Sequence, residues 1–120
     1  MTEITLKRGE TELDFSAKGH CNAAENGVDL VCSAVSMLSC TLINRLEELS
    51  VFLKEKHISY EKGLVEIFVR WNKRDCALFD NSIDTLLCGY RLISNAFPEN
   101  VRLSVTRNEG KDYYVKKKRY

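Results

Sequence analysis

Apolar and polar positions alternate from the first residues, with Ile4 and Leu6 on one face of residues 2–7 and Leu13, Phe15 and Ala17 on one face of residues 11–17. Gly9-Glu10 lies between the two runs, so this stretch predicts a β-hairpin. Residues 18–28 hold Gly19, Asn22, Asn26 and Gly27 with few apolar side chains, the composition of a loop that is expected to move. The period then changes. Val31, Val35, Leu38, Leu42, Leu46, Leu49 and Leu53 recur at steps of three or four, predicting a helix of roughly 25 residues with one buried face. Asp29 is placed to cap it, its carboxylate accepting from the backbone N–H of Val31 or Cys32. Cys32 and Ser36, four apart, share a different face, turned toward the loop.

Beyond Lys54 the helical pattern fails. Ile58–Tyr60 suggests a short strand that turns at Glu61-Lys62-Gly63, and residues 64–71 give a stronger one with Val65, Ile67, Val69 and Trp71 on one face. Phe79, Ile83, Leu86, Tyr90, Ile93 and Phe97 mark a second helix that Pro98 ends. Residues 100–106 close the chain's periodic part with Val101, Leu103 and Val105 aligned. The order ββαββαβ, with two apolar helix stripes and one apolar sheet face, predicts a two-layer α+β domain. The links within each strand pair are too short for parallel crossovers, so the sheet is mixed or antiparallel.

Composition narrows the class. The 120 residues suffice for one core, with 44% hydrophobic and 29% charged residues. A net charge of +1 gives the body no general affinity for nucleic acid or an anionic membrane. Local excess charge is confined to Lys116-Lys117-Lys118-Arg119, which defines residues 108–120 as a basic, flexible tail behind a domain of residues 1–107. Tyr113, Tyr114 and Tyr120 give that tail a means of touching RNA by charge and stacking, although a solvated terminus is the commoner outcome. The N-terminus lacks the apolar core of a signal peptide, and no window approaches the roughly 18 apolar residues of a spanning helix. A cytoplasmic protein is expected. Its five cysteines, Cys21, Cys32, Cys40, Cys76 and Cys88, form no CxxC pair, and their odd number points to reduced thiols.

Candidate chemistry sits where the loop meets the first helix. A thiol in a helix's first turn feels the positive end of the dipole, which favours thiolate. His20 on the adjoining loop can serve as its base and then as a proton donor, so Cys32 and His20 form a candidate nucleophile–base pair. A zinc site from His20, Cys21, Cys32 and Cys40 is the chemical rival, but neighbouring residues rarely both reach one tetrahedral ion and the spacing is wrong. No metal or cofactor is expected. Blander readings stand beside these: Asp29 as a plain cap, Ser36 as a tolerated polar residue, His57 as a solvated residue in a helix-to-strand link, and Trp71, Phe68 and Phe79 as core.

The run Gly19-His20, a short loop, Asp29, then Val31-Cys32-Ser33-Ala34-Val35-Ser36 resembles the ribosomal-processing cysteine protease (Prp) family. Gly89-Tyr90-Arg91-Leu92-Ile93 and Phe97-Pro98-Glu99-Asn100-Val101 are similar to its second helix and final strand, and the likeness covers roughly residues 1–107. The resemblance implies a cytoplasmic endopeptidase, usually a homodimer, that removes the N-terminal extension of large-subunit ribosomal protein L-twenty-seven by cutting between Phe and Ala. It implies Cys32 as nucleophile and His20 as base, with Gly19 permitting the loop geometry and Asp29 and Ser36 shaping the substrate site. Cys21 departs from the family, which more often has alanine there, and brings the prospect of an inhibitory disulfide. A non-enzymatic ribosome-associated or RNA-binding module is the alternative from another class.

Overall fold

A computed structural model describes residues 1–19 and 26–107, residues 26–29 by their backbone. Strands β1 (Thr2–Arg8) and β2 (Glu12–Lys18) precede helix α1 (Asn26–Glu48); β3 (Leu53–Glu61), β4 (Leu64–Trp71), helix α2 (Cys76–Ala96) and β5 (Val101–Arg107) follow. The predicted α+β fold and element order are therefore present. The five strands form one mixed sheet in the order β3-β4-β2-β1-β5. Pairing is antiparallel for β1–β2, β2–β4 and β3–β4, and parallel for β1–β5. Lys62 and Gly63 alone join β3 to β4, and Gly63 takes φ 81°, a conformation that costs a side-chain-bearing residue strain.

Alternation puts Ile4, Leu6, Leu13, Phe15, Ala17, Val65, Ile67, Val69 and Trp71 on one buried face. Against it α1 sets Val31, Val35, Leu42 and Leu46, and α2 sets Phe79, Ile83, Leu86 and Tyr90. The helices run antiparallel, since Ser39 Oγ lies 3.0 Å from the Tyr90 hydroxyl while Arg45 Nε donates to Ser82 Oγ at 3.1 Å.

Several expectations need correction. α1 stops at Glu48, a single 3₁₀ turn (Ser50–Phe52) intervenes, and Leu53 opens β3 opposite Trp71 instead of extending the helical stripe. β3 is consequently nine residues long and includes His57, which lies in the strand and not in a connection. Phe68 faces away from the core, half-buried, with its ring 6.3 Å from that of His57. Trp71 and Phe79 do belong to the core, stacked at 4.5 Å. The segment Leu30–Glu48, with mean hydropathy 1.2, is long and apolar enough to meet the minimum for a spanning helix, contrary to the expectation that no window approaches it. Length and composition do not separate a spanning helix from a core helix, and here the apolar stripe is covered by the sheet and by α2.

Candidate active site

The strand ends nearest the start of α1 do not close over the core. They leave a cavity of about 300 Å³ between β1, β2, the β3–β4 hairpin and one face of α1. Its apolar lining is Ala17, Val35, Leu64 and Val65, its polar lining includes Thr2, Ser36, Ser39 and Tyr60, and Lys18, Glu61 and Lys62 also border it. Cys32 opens into this space, half-buried, with Ser36 one helical turn further along the same face. Gly19 completes the wall. The structure thus gathers three of the predicted site residues, Gly19, Cys32 and Ser36, in one cavity.

Gly19 is held there by close packing. Its N–H donates to the Gly63 carbonyl at 3.0 Å, tying the end of β2 to the hairpin turn. A Cβ at this position would lie 2.6 Å from Thr2 Oγ1 and 2.8 Å from Thr2 Cα, too close for real atoms. Only glycine lets β2 leave the sheet beside β1 at this point, one residue before His20.

His20 and Cys21 lie outside the described residues, as does the basic tail, and of Asp29 only the backbone is described. That backbone corrects the capping expectation. α1 begins at Asn26, three residues before Asp29, so Asp29 is inside the helix and Cys32 is its seventh residue. The Cys32 N–H then has the Val28 carbonyl as its intrahelical acceptor, and the dipole, felt mainly in the first turn, bears less on the thiol than the sequence suggested. The expectation of reduced thiols also fails at one place: Cys32 is disulfide-bonded here, whereas Cys40, Cys76 and Cys88 form no disulfide. Among the described residues no three ligating side chains converge on a possible metal position.

Sequence reasoning missed Thr2, Ser39 and Tyr60. Tyr60 and Thr2 are remote from Cys32 in sequence, and no local motif marks them. Ser39 is almost fully buried and bonded to Tyr90. Burial raises the Tyr90 hydroxyl above its ordinary pKa, while the Ser39 contact works the other way.

The profile of the family described as cysteine protease Prp matches residues 1–102. The chain belongs to this cysteine protease family. Among solved structures, SMU.848 from Streptococcus mutans is similar at 26% identity and TM-score 0.68, covering 90% of this chain and 96% of its own. An essential ribosomal processing protease Prp from Staphylococcus aureus, in complex with a substrate peptide, shares the fold at 20% identity and TM-score 0.68, over 88% of this chain and all of its own. The same Staphylococcus aureus protease with a covalently linked product peptide matches at 22% identity and TM-score 0.66, over the same shares. No curated protein matches this Prp-family chain in sequence.

Proposed function

We propose that the protein is a cytoplasmic cysteine endopeptidase, working as a homodimer, that removes the N-terminal extension of ribosomal protein L-twenty-seven between Phe and Ala and so supports ribosome assembly. The observation that carries this reading is the opening of Cys32 into a strand-end cavity beside Gly19 in a chain of the Prp family. The peptide complexes of the Staphylococcus aureus relative lend support, because the same fold there receives a substrate peptide.

In this reading the Cys32 sulfur attacks the scissile carbonyl as a thiolate, and His20 first takes the thiol proton and then delivers it to the leaving amine. Because Cys32 sits in the second turn of α1, most of the thiolate's stabilisation falls to the His20 imidazolium. The backbone N–H groups that lack intrahelical acceptors are those of residues 26–29, so oxyanion donors are sought there or in the Ser36 hydroxyl. Of the two sheet edges, β3 and not β5 borders the cavity, which makes β3 the edge on which an extended substrate would pair. Water releases the acyl-enzyme. Chemistry begins only after two equivalents of a thiol reductant have opened the Cys32 disulfide, returning one thiol to Cys32 and one to its partner while the reductant is oxidised.

The test is cleavage of a peptide spanning the Phe-Ala junction, in reductant, by wild type, Cys32→Ala and Cys21→Ala. Cutting that disappears with Cys32→Ala and survives Cys21→Ala is expected. Loss with Cys21→Ala alone would move the nucleophile into the loop, and binding without cutting would favour the non-enzymatic alternative.

A further inference from the structure

β3 turns three side chains toward α1, as its register with Val69, Ile67 and Val65 dictates: Lys56, Ile58 and Tyr60. Two of these are accounted for by the fold. Lys56 Nζ pairs with Glu47 of α1 at 2.8 Å, and Ile58 packs against the core. Tyr60 differs, being 51% exposed although it faces the helix, because it stands at the lip of the Cys32 cavity. Its hydroxyl lies toward Cys40 and Ser36, two turns and one turn beyond Cys32 on α1, and the Cys40 thiol pushes the hydroxyl's pKa up. A large aromatic ring thus stands at the edge of the cavity with about half of its surface exposed.

We infer that Tyr60 is a specificity-determining residue, its ring forming the wall against which the aromatic side chain before the cut bond stacks. The inference rests on the endopeptidase reading for the identity of that side chain. Offset or tilted aromatic pairs attract beyond simple area burial. A ring carried on a paired strand and turned toward α1 has few torsions left to lose when the substrate arrives, so more of that attraction appears as affinity. The cavity's apolar lining at Val35 and Val65 suits the same occupant. Tyr60 belongs to the binding of one side chain and takes no part in the bond changes at Cys32.

The experiment compares two peptides that differ only in Phe or Ala before the cut bond. Cleavage is read with wild type, Tyr60→Ala, Tyr60→Phe and Cys40→Ala in reductant; binding of both peptides is read separately in a Cys32→Ala background. Tyr60→Ala is expected to cut kcat/KM for the Phe peptide about tenfold, chiefly through KM, with little effect on the Ala peptide. Tyr60→Phe and Cys40→Ala both keep the ring, so the preference for the Phe peptide should persist within about twofold. In the Cys32→Ala background, Tyr60→Ala should abolish any preference for binding the Phe peptide. An unchanged Phe preference in Tyr60→Ala overturns the inference while leaving the endopeptidase reading intact. A Tyr60-dependent Phe preference in binding without cleavage by wild type does the reverse. A chain that neither cuts nor prefers the Phe peptide contradicts both.

Discussion

The two ends of the sheet are built differently. At one end Arg8, almost fully buried, reaches from β1 to Asp80 at 2.9 Å and also to Asp84 on α2, and Arg107 of β5 approaches Asp80 at 3.8 Å. Nearby, the Cys76 thiol donates to the Glu10 carbonyl at 3.1 Å, and Trp71 stacks on Phe79. This end is tied by charge and filled by aromatic rings. At the other end α1 stands over the ends of β1, β2 and β4, with Thr2, Ser36 and Tyr60 around a cavity into which Cys32 opens. Packing leaves few voids in an ordinary core, so the open space at the second end sets it apart from the first. Buried charge pairs and stacked rings gather at one end, and the cavity with Cys32 lies at the other.

The largest effect expected from breaking this contrast lies at the closed end. Trp71→Ala removes a fully buried ring from its stack with Phe79 and should cost about 3–5 kcal/mol of folding stability. Denaturant unfolding measures it. At temperatures where the variant remains folded, kcat/KM per folded molecule should stay within about twofold of wild type. A large fall in activity of the folded fraction would show that the two ends are coupled.

Gly19→Ala probes the open end. The added methyl must push Thr2 and the end of β2 apart, at a cost of about 1–3 kcal/mol. The larger expected consequence is functional, because residue 20 follows directly: peptide cleavage should fall at least about tenfold. Comparing thermal midpoint with kcat/KM separates the two. A variant that loses stability but keeps full activity would make Gly19 a packing residue only.

The smallest effect concerns the seam between the ends. Burial holds the Tyr90 phenol above its ordinary 10.0 in the folded chain. The unfolded chain therefore loses that proton first, binds fewer protons than the fold, and stability falls as pH rises above about 10. Tyr90→Phe forfeits the Ser39 hydrogen bond, worth about 1 kcal/mol at pH 8. Its stability should then decline less steeply than wild type above pH 10 in denaturant titrations. Parallel curves would contradict the assignment.

These contrasts also explain what the sequence could and could not reveal. The hairpin, both helices and β4 are legible because each carries its own local period, and the first helix is recognisable from Val31 to Leu49 because that stripe meets the sheet. Its ends are less legible. Asp29 is a good cap residue in isolation, yet helical backbone begins at Asn26 and takes Asp29 inside. Leu53 fits the helical step but is claimed by its partner Trp71 in β3, an edge strand whose sparse apolar residues give little periodic signal. The parallel β1–β5 pairing joins residues about a hundred positions apart, beyond any local pattern. At the site, Cys32 and Ser36 share a helix face that their spacing reveals, while Gly19 is joined to them by the family resemblance. Tyr60 and Thr2 reach the cavity only through sheet register, and buried Arg8 looks like any surface arginine until α2 brings Asp80 and Asp84 to it.

Chemical trapping tests most directly whether Cys32 is the nucleophile of the open end. The reduced protein is treated with a peptide of the substrate sequence that ends in a phenylalanine chloromethyl ketone, and the adduct is located by mass mapping over all five cysteines. A single adduct on Cys32, absent from Cys32→Ala and with Cys40 and Cys88 unlabelled, is the predicted result. An adduct on Cys21 or another thiol, with Cys32 unmodified and reduced, would contradict the account.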